Sequence, residues 1–207
     1  MRLLIGGSGG HGRVVADAAA LTARWSEIAF LDDRYPAVSS SGVWPVVGCL
    51  DDLTGLSAQD LEFLAAVGEA RLRLDLLARA RAGGFGVPVL VHPKSAVSPH
   101  AQLGPGVVVF AGGVVNVGAE LGTGCLINTA ATVDHDCHLD AGVHVCPGAH
   151  LAGDVSVGMR TWFGIGAVAK QGIRIGADVT VGAGAVCLHD IRDGATVAGV
   201  PAKEMPK

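Results

Sequence analysis

The sequence predicts a small α/β unit followed by a parallel β-helix, on three observations. Residues 91–192 repeat an apolar residue every six positions with no insertion. Residues 3–33 alternate apolar run, glycine-rich turn, helical pattern and apolar run. Aromatics make up only 4% of the chain while glycine reaches 31 residues, so any core must be built from small and branched aliphatic side chains close to backbone. Tightly wound β structure suits that composition better than a helical bundle. A hydrophobic fraction of 50% in 207 residues is enough to build such cores.

The repeat runs Val91, Val97, Leu103, Val109, Val115, Leu121, Ile127, Val133, Leu139, Val145, Leu151, Val157, Phe163, Ala169, Ile175, Val181, Cys187, and fifteen of these seventeen are Val, Leu, Ile or Phe. The next position is often Gly, as at Gly104, Gly122, Gly158 and Gly182, and the fifth is small or branched, as at Ala119, Cys125, Ala131, Ala149 and Thr161. A period of six fits neither a 3.6-residue helix nor a meander. It fits short parallel strands joined by tight turns, each coil burying its apolar residue on the one below. Three hexads per coil, at ~4.8 Å between stacked strands, give about five to six coils. Gly194–Lys207 leaves the phase and is expected to cover the last open edge.

In the N-terminal part, Leu3-Leu4-Ile5 reads as a buried strand, Gly6 to Gly12 as a turn, Arg13–Ala23 as a helix and Ile28–Leu31 as a second strand ending at Asp32-Asp33. Gly7, Gly9 and Gly12 satisfy GxGxxG, and Asp32 follows Gly12 by 20 residues. Glycines let backbone approach a phosphate at a helix N-terminus, and an acid ending the second strand can accept from a ribose or base. The plainer alternative is a βα turn that needs glycine for geometry alone. A strand over 61–67, a helix over 69–82 and a lead-in from Pro88 complete a Rossmann-like sheet of four or five strands, with room for one nucleotide. The expected domains are 1–88 and 89–207.

Net charge is −4, without a basic run or stacking aromatics, so nucleic acid is not an expected partner. The five cysteines form no CxxC, and Met1 leads straight into a strand-like run. Reduced thiols in a cytoplasmic protein are the expectation. No apolar stretch reaches the ~18 residues of a membrane span.

His135, His138, His144 and His150 concentrate in the middle of the array. His135 lies between Asp134 and Asp136 near a predicted turn. A histidine titrates in the right range for a general base, and a carboxylate beside it can fix its tautomer. The same triplet would also serve as a solvated polar turn. At a coil spacing of 18 residues, Gly153 falls over His135 and Trp162 over His144.

The hexads and the Gly199-Val200-Pro201-Ala202-Lys203 segment resemble the hexapeptide-repeat acyltransferases. Joined to Gly9-Gly10-His11 and Phe30-Leu31-Asp32-Asp33, the whole chain resembles the acetyltransferases of nucleotide-linked amino sugars, with sialic acid O-acetyltransferases nearby. The resemblance implies a left-handed β-helix, acetyl-CoA as co-substrate with no metal, and a homotrimer with active sites between subunits. It implies N-acetylation of a nucleotide-linked 4-amino-dideoxy sugar, with His135 as base and Asp136 as its partner, where the family often carries Glu. It places acetyl-CoA against His144, Gly153, Ile165 and Ala183, the last a Gly in the family. It places the nucleotide sugar against Gly9, Gly10, His11, Asp32, Asp33, Gly68 and Asn128. Asn128 would equally serve as a stacking residue in a turn, and His138 and His150 read as outward corner residues. Sugar O-acetylation, a non-catalytic nucleotide-sugar scaffold, a three-histidine zinc lyase and an NAD oxidoreductase are the competing readings.

Overall fold

A computed structural model describes residues 1–206, which form two compact units, Met1–Pro93 and Lys94 onward. In the first unit, β1 (Arg2–Gly6), α1 (Gly10–Leu21), β2 (Glu27–Leu31), β3 (Ser40–Ser41), β4 (Trp44–Gly48), β5 (Leu61–Ala65) and α2 (Ala70–Ala82) build a five-stranded sheet of order β3-β4-β2-β1-β5. β1 is an inner strand and pairs in parallel with β2 and β5. Leu3, Leu4 and Ile5 are all buried, as a strand covered on both faces requires. Leu4, Leu31, Phe63, Leu76 and Leu77 share one core cluster. Glu69 caps α2 by accepting from the N–H groups of Arg71 and Leu72.

The first unit departs from the sequence expectation at the glycine turn and between β2 and β5. The helix expected from Arg13 starts at Gly10, so the glycine turn shrinks to Gly7–Gly9. Backbone packing explains it: a Cβ on Gly12 would collide with the Gly7 carbonyl oxygen, so Gly12 belongs to the helix's contact with the turn. The hairpin β3–β4 and a 3₁₀ turn at Leu50–Thr54 had no signal in the sequence, because Ser-Ser and Trp-Pro-Val-Val are too short to show alternation.

The second unit is a parallel β-helix with three sheet faces. Pairing advances by 18 residues throughout: Leu126↔His144↔Trp162, Val114↔Thr132↔His150 and Glu120↔His138↔Ser156. From Ala96–Val97 to Val186–Cys187 each strand has two residues. The second, such as Ile127, Val133, Val145 or Phe163, is buried from Val109 on, and the first is exposed or half-buried except at Val108 and Leu126, which are buried. Fifth-position residues Ala119, Cys125, Ala131, Cys137, Ala149 and Ala167 are buried as well, where a corner leaves room only for small side chains.

The array expected to run to residue 192 keeps its phase only to Cys187. Ile175 then bridges Ile191, and Thr180 pairs with Thr196, a 16-residue step. Leu188-His189-Asp190 replaces the glycine-bearing turn, and Ile191 takes the inward place four residues after Cys187. Lys203–Glu204 pairs antiparallel with Thr196–Ala198 and closes that edge, helped by an Arg192–Glu204 ion pair.

Candidate active site

In the first unit, β1, β2 and β5 end in register, Gly6 beside Leu31 and Ala65. The segments that follow them, Gly7–Gly10, Asp32-Asp33 and Val67-Gly68, therefore gather at the carboxyl edge of the sheet, where parallel α/β sheets take ligands. A Cβ added to Gly9, Gly10 or Gly68 meets nothing within 4 Å, so backbone there is open to a ligand. Gly9 caps α1 without a side chain, leaving the helix's first N–H groups facing that space. Buried Arg73 donates to the carbonyls of Val67 and Gly68 at 3.0 Å each and fixes the loop. Burial, and secondarily the Arg73 charge, push His11 down to about 4, so at neutral pH it is an uncharged hydrogen-bonding group.

Asp32 and Asp33 were expected to accept from the nucleotide. Both carboxylates have internal partners: Asp32 binds Ser8 and Arg34, and Asp33 accepts from the Leu50 N–H at 3.1 Å. Arg34 and Ser8 are thus members of this pocket that the glycine pattern did not single out. The available signal was a basic residue directly after Asp32-Asp33.

In the β-helix, His135 sits at a coil corner after the strand Thr132–Val133. Its Nδ1 lies 2.9 Å from Asp136 Oδ2. Asp136 occupies the left-handed turn position with φ 57°, a conformation that Asp tolerates better than most residues. The shorter acid therefore reaches the imidazole from the next residue. The corner is held from below: Asn116 Nδ2 donates to Asp134 Oδ1 at 2.7 Å, and the same oxygen accepts the His135 N–H at 2.8 Å. The Asp136 hydrogen bond raises the His135 pKa above its usual value of 6.5, with the Asp134, Asp136 and Asp154 charges adding to it against partial desolvation. Gly153 lies over the imidazole, and a Cβ there would collide with Nε2.

His144, Asn128, Ile165 and Ala183 gather at a different edge. His144 points outward in register with Trp162, and its Nε2 lies 3.0 Å from Asn128 Nδ2. The Thr129 N–H donates to Asn128 Oδ1 at 2.8 Å, which orients the amide so that its NH₂ meets the imidazole. His144 Nε2 is thereby placed to accept from the amide. Exposed Ile165 and Ala183 stack at one corner through the Gly184 N–H to Ile165 carbonyl bond of 2.8 Å. The face with outward residues Val114, Thr132, His150, Val168 and Val186 separates this edge from the His135 corner.

His138 and His150, expected at corners, are instead outward strand residues. His138 lies 3.4 Å from both Glu120 and Asp140, and His150 Nδ1 lies 2.9 Å from Thr132 Oγ1. The clustered histidines thus divide among three faces and one corner. Among the described residues no three His, Cys, Asp or Glu side chains converge as metal ligands. The cysteines are free thiols, four of them buried; burial pushes Cys146 up to about 12 and Cys187 to about 11. Among the described residues no helix is long and apolar enough to cross a membrane.

Residues 2–80 match the family described as the PglD N-terminal domain. UDP-N-acetylbacillosamine N-acetyltransferase of Bacillus subtilis (strain 168) is 36% identical over 104 residues, a stretch that spans 49% of this chain and 48% of that protein. The acetyltransferase domain of PglB from Neisseria gonorrhoeae FA1090, solved in complex with acetyl coenzyme A, is 48% identical with a TM-score of 0.96, covering 99% of this chain and 98% of that one. PerB from Caulobacter crescentus, solved with CoA and GDP-perosamine, is 39% identical with a TM-score of 0.91, covering 100% and 98%. With such identity sustained from end to end, the chain belongs to the hexapeptide-repeat, left-handed β-helix acetyltransferases of nucleotide-linked amino sugars.

Proposed function

We propose that this chain transfers the acetyl group of acetyl-CoA to the amine of a nucleotide-linked 4-amino-dideoxy sugar, in the cytoplasm and as a homotrimer. The observation that carries the reading is the His135–Asp136 pair lying directly beneath Gly153. With Nδ1 bonded to Asp136, the neutral His135 presents Nε2 as the acceptor for the amine's proton. The Gly153 backbone, with no side chain between it and the imidazole, offers its N–H to the thioester oxygen as charge develops there. The amine nitrogen bonds to the acetyl carbon as the C–S bond breaks, and the proton taken by His135 returns to the departing thiolate. Acetyl-CoA supplies the activated acetyl group; His144, Ile165 and Ala183 are the residues assigned to hold it. Gly9, Gly10, His11 and Gly68 are assigned to the nucleotide, and Asn128 to the sugar. The complexes of the PglB domain with acetyl coenzyme A and of PerB with CoA and GDP-perosamine support the choice of the two ligands, acetyl-CoA and a nucleotide-linked amino sugar.

Chemistry of the faces supports the trimer. One face presents Gln102, Glu120, His138, Ser156 and Arg174 outward, whereas another presents Ala96, Val114, Thr132, His150, Val168 and Val186. The apolar face is flanked by the His135 corner on one side and by the Ile165 corner on the other. Packing copies through it would bring one chain's base to another chain's acetyl-CoA residues. Val168→Asp is expected to yield monomers in sedimentation and to remove activity with them; an active monomer would contradict the shared site.

Because His135 acts as its neutral form, kcat/KM should be present above its pKa and fall as pH drops through it, with the acid limb above 6.5. Asp136→Asn removes the largest cause of the shift and should move that limb down toward 6.5. A limb that stays in place would assign the titration to another group. The activity itself is tested by free-thiol release from acetyl-CoA against UDP-, dTDP- and GDP-linked amino sugars. Release with one acceptor and none without it is expected; no release with any acceptor contradicts the proposal.

A further inference from the structure

Asp32 has no acceptor capacity left. Its two oxygens receive the Ser8 N–H at 2.8 Å, the Ser8 hydroxyl at 2.7 Å, and Arg34 through its backbone N–H at 3.1 Å, Nε at 2.8 Å and Nη2 at 2.9 Å. A carboxylate offers about four lone-pair sites, so a ribose hydroxyl finds none to claim. The Arg34 guanidinium and these donors hold Asp32 well below the ordinary carboxylate range, and it stays charged. Ser8 is used up in the same way. Its hydroxyl donates to Asp32 and accepts from Arg34 Nη2 at 3.0 Å, and its carbonyl accepts from the Ser41 hydroxyl at 2.6 Å.

Arg34 is not used up. Nε and Nη2 make all of its side-chain bonds, and both N–H groups of Nη1 make none among the described residues. The Asp32 side chain is 11% exposed, but that of Arg34 is 57% exposed. Its bond to Ser8 places the guanidinium next to the open backbone of Gly9 and Gly10. A planar donor pair is thereby fixed by a buried anion at the edge of the pocket, with its orientation set before any ligand arrives. Such a preset pair matches an oxygen acceptor.

We propose that Arg34 is a nucleotide-binding residue of this chain, its Nη1 donating to an oxygen of the bound nucleotide, either a base carbonyl or a diphosphate oxygen. Ser8 and Asp32 are positioning residues that aim it. The proposal rests on the nucleotide reading of the first unit and changes its polarity. Where a dinucleotide-type sheet offers a carboxylate to the ribose, the position of Asp32 here offers the cation that it holds, Arg34.

The test is calorimetric binding of UDP, GDP and inorganic pyrophosphate to the wild type, Arg34→Lys and Arg34→Gln, with melting transitions recorded in parallel. Lysine keeps a cation for Asp32 but loses the planar donor pair, so R34K separates folding from recognition. Nucleotide binding at least about tenfold weaker in R34K, equivalent to ~1.4 kcal/mol, with a wild-type melting transition, is the expected result. An equal loss for pyrophosphate assigns the contact to the diphosphate; a loss confined to UDP and GDP assigns it to the base. Variants that bind UDP and GDP as the wild type does overturn the role of Arg34 alone. Weak binding accompanied by early melting in both variants overturns it in favour of a structural role. A wild type that binds neither nucleotide overturns the nucleotide reading and Arg34's role with it.

Discussion

His135→Ala is expected to lower kcat/KM by about 10²–10⁴-fold, the range a positioned general base contributes, while nucleotide affinity stays at the wild-type value. The side chain is 57% exposed and its single side-chain bond is to Asp136, so its removal costs the fold little. The corner is kept by bonds that do not involve the imidazole, from Asn116 to Asp134 and from Asp134 to the His135 backbone N–H. The Asp154 N–H donating to the His135 carbonyl at 2.9 Å also survives the change. Steady-state kinetics with calorimetric nucleotide binding separate the two effects. A sugar amine, more basic and more nucleophilic than a hydroxyl, retains some background attack, and this sets the lower end of the range. Turnover unchanged in the variant would remove His135 from the mechanism.

Gly153→Ala should match that loss with a single methyl group. The added Cβ would lie 2.5 Å from His135 Cε1 and 3.0 Å from Cδ2, besides colliding with Nε2. Gly153 does not have a positive φ, so alanine brings no backbone strain, and the exposed imidazole can swing aside. The expected result is therefore a nearly unchanged melting temperature. It is joined to a fall in kcat of about 10²-fold or more, because a displacement of about 1 Å is enough to spoil attack geometry. The displaced ring also leaves Asp136, so the acid limb of the pH profile should shift with it. Full activity in Gly153→Ala would show that nothing at this position depends on the narrow space above the imidazole.

The repeat made most of the second unit legible. A ladder of inward residues at period six fixes which side chains point in, and a coil length of three hexads is enough to set Gly153 over His135 and Trp162 beside His144. It lost its phase after Cys187, where Leu188-His189-Asp190 shortens a turn that still contains apolar residues and so looks regular by composition. The periodic pattern also could not say which residues share a site across separate corners. His135 and His144 are nine residues apart, yet His135 sits at a corner and His144 on a face that the face carrying Val114 and Val186 separates from it. In the first unit the pattern Gly7, Gly9, Gly12 located the turn. It did not show that Asp32 was already saturated, because hydrogen-bond capacity depends on Ser8 and Arg34 meeting it in space. β3 and β4 escaped notice because a two-residue strand and a proline-bearing one carry almost no periodic signal.

The central claim is direct transfer of acetyl from CoA to a sugar amine at the His135–Gly153 corner. Mass spectrometry of a single-turnover reaction with an amino-sugar nucleotide tests it most directly. The account predicts one N-acetylated nucleotide sugar for each CoA released and no acetylated protein when the acceptor is omitted. An acetyl-protein that accumulates without acceptor, or CoA release without an N-acetylated product, would contradict it.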